Sequence, residues 1–407
     1  MRRVLTTIGV LLTTLAGAAA AMTQQVTSAP FDYGVIVSLP GQDYEAMSDS
    51  LRQLGVGWVK HEIPWRDFEL SPGQINLALL DEIVSTLEAG NYQIMFTITT
   101  APDWSRTIRE ENGPPDDLSQ FGAFVGQLAE RYKGRVHAYE IWSEPNLRSR
   151  WKSAVHPIGA ESYMALLQAA HSAIKNADPT AVVVSAGLAP TGYNDAFDTE
   201  AGVFEVNAVD DRVFLESLYA AGLASYTDAV GVNAMGWANP PDARCCEPLS
   251  GVQSHYEDPR FYFIETLEAY RGVMERAEDT GKALWVTAFG WGTSEDLGEP
   301  DPLNTFMSYT DLDEQARYIR RAFEIGYWLD YVGPMFLSNL NGCLAPANFD
   351  FDACYYSLIG PNGVPRPAYN AVAALDKRLR STTPTPHDEQ AGSSSEQPND
   401  TRGKAGS

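Results

Sequence analysis

The chain has 407 residues, with 53 Asp and Glu against 29 Lys and Arg, a formal net charge of −24. Phosphate binding runs on clustered Lys and Arg, so this balance argues against a nucleic-acid partner. Hydrophobic residues at 44% and charged residues at 20% describe a globular chain that buries a core, which excludes collagenous, coiled-coil and disordered classes.

Arg2 and Arg3 open the chain, an apolar run follows from Val4 to Leu15, and Ala18 to Ala21 supply small residues behind it. This is the layout of a secretory signal, which assigns residues 1–21 to a signal peptide cleaved just before Met22. Thr6, Thr7, Thr13, Thr14 and Gly17 dilute the run and make it a poor permanent span, although an uncleaved anchor stays open. No later segment is apolar for long enough to cross a bilayer. The expectation is a secreted or periplasmic protein, monomeric, with no stable membrane span in the mature chain.

Short β-branched and aromatic runs then alternate with longer amphipathic segments, the pattern of parallel βα units. Strands are expected at Tyr33–Ser38, Trp58–Ile63, Gln93–Thr99, His137–Trp142, Ala181–Ala186, Ala229–Asn233, Leu284–Thr287 and Val332–Leu337. Helical spacing shows between them, as in Phe121, Phe124, Val125, Leu128 and Tyr132, or Met164, Leu167, Ala170, His171 and Ile174. Asp116 before Leu118 and Asp313 before Ala316 read as helix caps. An open doubly wound sheet would show a glycine-rich phosphate loop after its first strand, and none follows Ser38. The pattern therefore predicts an α/β fold, a (β/α)8 TIM barrel in a single domain over residues 28–380, with its chemistry on the loops at the strands' C-terminal ends.

Export would put Cys245, Cys246, Cys343 and Cys354 in an oxidising compartment. Cys343 and Cys354 share one loop whose closure costs little chain entropy, so they are expected to pair. Cys245 and Cys246 form a vicinal pair, or one bond plus a free thiol. No CxxC or His spacing accompanies them, so no metal is expected, and no cofactor. Residues 381–407 lack Leu, Ile, Val and aromatic side chains and are expected to form a disordered Ser, Thr, Pro and Gly-rich tail.

The fourth expected strand runs into Glu140-Ile141-Trp142-Ser143-Glu144-Pro145-Asn146, which puts Glu144 at the mouth of a barrel. A glycosidic oxygen leaves well only when it receives a proton, which a partly buried Glu can supply. Glu140 has the same strand parity, points inward, and needs a buried partner, for which Lys60 is the candidate. His61, without a companion at metal spacing, reads as structural.

These runs carry a resemblance. "YEIWSEPN" in strand four, "LWVTAFGW" in strand seven, "APDW" at Ala101–Trp104 and "EIPWRDFELSPG" at Glu62–Gly73 resemble the clan A glycoside hydrolases, particularly the xylosidase-like and cellulase-like members. The resemblance covers nearly the whole barrel and implies hydrolysis of O-glycosyl bonds, with an acid/base Glu after strand four and a nucleophilic Glu after strand seven. Glu144 matches the first. Ala288 stands at the position of the second, between Thr287 and Phe289, and a methyl group cannot attack an anomeric carbon.

Further departures fall in the same space. Ser143 stands where the clan usually has an Asn on a sugar hydroxyl, Asn233 and Met235 where strand six usually offers a His and a Tyr, and Ser338 where strand eight often ends in a Trp. So many coincident changes point to natural divergence rather than one laboratory substitution. Trp65, Trp104, Trp142, Trp151, Trp237 and Trp291 lie at or just beyond strand ends, with Tyr193 and Tyr256 on similar loops. Such rings either stack on a pyranose or close the barrel top; for Trp151 and Trp237, on polar loops, binding is the preferred reading. Arg148, Arg150 and Lys152 form either a local basic patch or a solvated rim.

The expectation drawn from all this is a glycan-binding pseudoenzyme whose partner is a polysaccharide or oligosaccharide. The alternatives are a hydrolase in which Asp103 or Glu62 activates water by an inverting mechanism, and an extracellular scaffold.

Overall fold

The structure, a computed structural model, describes residues 30–38, 43–192, 194–198, 204–246, 257–344 and 352–377. The expected signal peptide and tail lie outside the described residues, as do Tyr193 and Tyr256.

Five strands come first: β1 (Tyr33–Ile36), β2 (Trp58–Pro64), β3 (Gln93–Thr99), β4 (Ala138–Ile141) and β5 (Val182–Ser185). A small antiparallel hairpin follows, β6 (Asp195–Asp198) and β7 (Phe204–Ala208), and then β8 (Val230–Met235), β9 (Leu284–Gly290) and β10 (Val332–Leu337). Helices α1 (Tyr44–Leu54), α2 (Ala78–Ala89), α3 (Leu118–Arg131), α4 (Ala160–Ala177), α5 (Asp211–Ala220), α6 (Phe263–Arg276) and α7 (Leu312–Trp328) fill the crossovers; α8 (Asp352–Tyr355) and α9 (Pro367–Ala373) follow the last strand. The large sheet runs β5-β4-β3-β2-β1-β10-β9-β8, every pairing parallel.

Between β5 and β8 the barrel closes through a parallel bridge, Val184 to Ala229. There the Ser185 N–H donates to Ala229 O at 3.2 Å, and the Gly231 N–H donates to Ser185 Oγ at 3.0 Å. A side chain at Gly231 would strike the Ser185 carbonyl, so glycine is what lets these two strands approach. Eight parallel strands in a closed ring make this the (β/α)8 barrel.

Parity places the core in two layers. Inside the ring, Trp58, Met95, Ala138, Val184, Ala229, Trp285 and Phe336 form one cluster, with Trp58 and Trp285 edge to face at 5.0 Å. The alternate residues, Val59, Ile94, Phe96, Ile141, Val183 and Val286 among them, face the helices in a second, larger cluster. The barrel floor is thus plugged by rings.

Two helix starts differ from expectation. Asp117, not Asp116, caps α3, because residue 117 has the extended backbone a cap needs and accepts the Ser119 N–H at 3.0 Å. Asp311, not Asp313, caps α7 in a capping box with Glu314, which leaves Asp313 in the first turn. Cys343 is paired with Cys354, their Cα atoms 4.1 Å apart, and Cys245 is paired with Cys246.

Asp211 is a buried acid away from the mouth. Asp211, at the start of α5, is fully buried, and desolvation pushes its carboxyl up to about 6. Arg212 and Arg260 oppose that shift and Asp210 adds to it; Arg260 Nε lies 3.6 Å from Asp211 Oδ1, while Tyr270 of α6 faces it from the next helix. The folded state therefore holds a proton that the unfolded chain, with its lower pKa, has released between about pH 4 and 6. Stability falls as pH rises through that window. Asp211→Asn should accordingly leave stability unchanged below about pH 4 and raise it above about pH 6, by at most about 3 kcal/mol. Urea unfolding of both proteins across this range checks the sign; a gain confined to acid pH would contradict it.

Candidate functional site

The site is built upward from a buried ion pair. Alternation along β4 turns Ala138 and Glu140 into the barrel, and Glu140 is wholly buried. Its Oε2 lies 2.6 Å from Lys60 Nζ and accepts the Thr97 hydroxyl at 2.6 Å, while Oε1 accepts the Gly187 N–H at 3.1 Å. Lys60 crosses the interior from β2 and also donates to the Thr287 carbonyl of β9 at 2.8 Å. One ion pair so ties together four of the strands and the start of the loop after β5.

Past Ile141 the chain turns sharply. Trp142 (φ 72°) and Glu144 (φ 53°) both sit in the left-handed region, which residues with side chains rarely adopt and which costs on the order of 1–3 kcal/mol each. The surroundings over-determine the turn. The Glu144 N–H donates to Gly187 O at 2.9 Å, and the buried Asn146 amide bonds the Ala189 and Val209 carbonyls and the Ala189 N–H. The turn sends the Trp142 ring outward and leaves the Glu144 side chain, 21% exposed, with the mouth residues.

Both Glu144 oxygens are engaged. Oε1 accepts from Asn233 Nδ2 at 3.0 Å, and Oε2 lies 3.5 Å from Arg150 Nε. The Thr287 hydroxyl donates to Asn233 Oδ1 at 2.9 Å, which orients the amide so that its NH2 faces the carboxylate. A methyl at Gly187 would collide with Asn233 Oδ1 and Thr287 Oγ1, so this glycine permits the whole arrangement. A chain of contacts thus runs from Glu140 through Lys60, Thr287 and Asn233 to Glu144.

Ala288 reaches the mouth through a β-bulge. Val232 pairs with Val286 but Asn233 pairs with Ala288, and on the other side Met335 pairs with Val286 but Leu337 with Phe289. β9 therefore carries one extra residue at Thr287–Ala288. Strict alternation from Trp285 would turn Ala288 outward with Val286; instead Ala288 is partly exposed while Phe289 packs on Phe263 and Phe323. A bulge beside a site re-aims a side chain, and here the side chain is a methyl. Ser143, Met235 and Ser338 are likewise partly exposed at their strand ends, and Asn233 is buried beneath them.

The aromatic expectation needs correction. Trp65, Trp151 and Trp291 are each at most 1% exposed and do not line the mouth. Each ring lies among helices and spends its indole N–H internally: Trp65 on Glu69 Oε2 (2.7 Å), Trp151 on the His156 carbonyl (3.0 Å), Trp291 on the Asn239 carbonyl (2.7 Å). Trp142 does the same with Arg150 O at 3.1 Å and packs on Trp151. Burying so large an apolar ring outweighs the polar loop sequence around it, which is why Trp151 fills rather than binds. Trp237 stays partly exposed at the end of β8, held by Phe261 and Phe306 with centroids 5.0 Å away. Trp104 is also partly exposed, on the outer flank of the β3–α3 loop.

The three loop cations divide. Arg148 pairs with Glu111 (2.7 Å) and Glu205 (3.1 Å), and Lys152 with Glu205 (2.5 Å), so the β6–β7 hairpin neutralises both and leaves no basic patch. Arg150, grouped with them in the sequence, is the one that faces Glu144. Glu62 is exposed, shares inward parity with Trp58 and Lys60, and accepts the Thr99 hydroxyl at 2.8 Å. Asp103 is exposed on the turn Asp103–Ser105 of the outer flank. His61 is fully buried, its Nδ1 3.0 Å from the Val37 carbonyl, and burial lowers its pKa to about 4. Among the described residues no group of three or more His, Cys, Asp or Glu could hold a metal ion.

No protein-family model matches the sequence, and no curated protein matches it. Solved structures do. A family 39 glycoside hydrolase from Bacteroides cellulosilyticus is similar over 86% of this chain and 64% of its own, with 17% identity and a TM-score of 0.61. A family 10 glycoside hydrolase from Paenibacillus barcinonensis is similar over 86% and 96% respectively, with 16% identity and a TM-score of 0.54. The chain shares the (β/α)8 fold of these glycoside hydrolases. Thermotoga maritima Cel5A, solved with a mannotriose substrate, has the same barrel at 13% identity and a TM-score of 0.52, over 86% of this chain and 98% of its own. Identities this low establish the fold and leave function to the site itself. In this barrel that site is a mouth with one carboxylate held from both sides and a methyl group on the facing bulge.

Proposed function

We propose that the barrel mouth binds a neutral oligosaccharide or polysaccharide without cleaving it. The observation that carries this reading is the pairing of Glu144 with Arg150 and Asn233 while Ala288 occupies the bulge. Retaining hydrolysis needs a second carboxylate about 5 Å from the first, and Ala288 supplies none. With a donor on each oxygen, Glu144 serves as a fixed acceptor for sugar hydroxyls. The net charge of −24 and the neutralised Arg148 and Lys152 favour a neutral glycan over an anionic one. Export is part of the proposal, supported by the layout of the first 21 residues and by the paired cysteines. So is a monomeric mature chain, and no helix among the described residues is long and apolar enough to cross a membrane.

Calorimetry against soluble neutral glycans tests the reading. Trp237→Ala should weaken binding about tenfold by removing the exposed ring at the mouth. Glu144→Gln, which keeps an acceptor oxygen, should hold affinity within about threefold. Loss of turnover in Glu144→Gln at unchanged affinity would instead identify a hydrolase. Glu62 gives that second reading its one specific support, because it is a second acid of inward parity on β2, exposed and held by Thr99.

A further inference from the structure

A second set of chemistry-bearing groups gathers away from the mouth, in the loop between β3 and α3. A cavity of about 480 Å³ opens there, lined by Trp104, Arg106, Thr107, Arg109, Asp116, Asp117 and Gln120 among others. That volume lies in the range of small-molecule sites, about 300–1,000 Å³. Trp104 is fixed as a wall: its indole N–H donates to the Glu69 carbonyl at 2.7 Å, and Trp65 meets it edge to face at 5.7 Å.

Two polar atoms of the lining residues are buried without a hydrogen-bond partner, Arg106 Nε and Gln120 Oε1. Arg106 is 4% exposed and holds the wall through its Nη2, which donates to the Lys152 carbonyl at 2.9 Å. Buried polar atoms are ordinarily hydrogen-bonded, so two exceptions in one lining call for an explanation. The charges in the lining cancel, Arg106 and Arg109 against Asp116 and Asp117. An anion would meet the two aspartates and a cation the two arginines. A neutral polyhydroxylated ring meets both kinds of group productively, its hydroxyls donating to the carboxylates and accepting from guanidinium N–H groups, with its apolar face on the indole.

We propose that this flank cavity is a second carbohydrate-binding site, taking a pyranose unit of a neutral glycan independently of the barrel mouth. The proposal does not rest on the reading of the mouth. Its test is calorimetric titration of xylohexaose, cellohexaose and mannohexaose, one at a time, into the native protein, Trp104→Ala, Gln120→Ala and Trp237→Ala, each checked for native circular dichroism. At least one hexasaccharide should bind the flank site, with about tenfold loss in Trp104→Ala. A smaller loss is expected in Gln120→Ala, whose partly buried helical position tolerates alanine, and binding to this site is unchanged in Trp237→Ala. If Trp237→Ala changes nothing while Trp104→Ala abolishes binding, the flank site stands and the mouth reading falls. Titrations of Trp104→Ala and Gln120→Ala that match the native curve for every hexasaccharide would overturn the proposal, as would a native protein that binds none of them.

Discussion

Lys60→Met is expected to lower the unfolding free energy by about 3–5 kcal/mol, because it strands a carboxylate that has no exposed surface. Glu140 would keep the Thr97 hydroxyl and the Gly187 N–H, neither of which carries charge. The same substitution frees the Thr287 carbonyl from its 2.8 Å bond and so loosens the bulge and the Asn233 amide that hold Glu144. Pairing it with Glu140→Leu should recover at least half of the loss, since replacing both members of a buried pair by apolar groups costs far less than removing one. Urea denaturation of the single and double variants checks both statements. A single-variant loss below about 1 kcal/mol, the scale of a solvated surface pair, would mean that the pair is not buried as described.

The second large effect is chemical. Ala288 pairs in register with Asn233, and Asn233 Nδ2 lies 3.0 Å from the Glu144 carboxylate. Ala288→Glu would therefore bring a second carboxylate into the mouth beside the first. From a nitrophenyl glycoside, nitrophenolate leaves as an anion without a proton from the enzyme as the carboxylate bonds the anomeric carbon, so a nucleophile alone suffices for its release. Ala288→Glu is expected to release nitrophenol from at least one nitrophenyl glycoside at about 100-fold or more above the native protein. Unactivated oligosaccharides should stay intact until Arg150→Ala is added, because they need Glu144 as an acid and Arg150 occupies one of its oxygens. A variant that binds glycan yet releases no nitrophenol across the panel would show that the bound sugar does not present its anomeric carbon to residue 288.

Much of this molecule is legible in its sequence, for identifiable reasons. The strands are runs of Val, Ile, Phe and Thr bounded by polar turns, so β3 and β10 fall where the runs predict and the others shift by a residue or a few at their ends. Glu140 and Lys60 can be read as an inward pair because β2 and β4 keep strict alternation. Alternation fails at β9, where a one-residue bulge decides that Ala288 joins the mouth, and no local propensity marks a bulge. The β6–β7 hairpin escapes notice as well, although Phe204-Glu205-Val206-Asn207-Ala208 alternates apolar and polar; its weight lies in Glu205, which with Glu111 neutralises two cations that look free in the sequence.

The tryptophans show the limit most plainly. Their spacing places them at strand ends, but the ring's direction depends on backbone dihedrals. Trp142 at φ 72° turns outward into the helices, while Trp237 at φ 52° stays partly exposed. Arg150 is similar: three cations on one loop look alike until the fold assigns two of them to a hairpin and the third to Glu144.

The central claim is that the mouth holds glycan without cutting it. The most direct test measures, in one experiment, retention of the native protein on insoluble neutral polysaccharides and the release of reducing ends into the supernatant. The account predicts retention that falls with Trp237→Ala and a reducing-end signal no higher than the protein-free control. Reducing-end release by the native protein that disappears in Glu144→Gln would contradict it and make this barrel a working hydrolase.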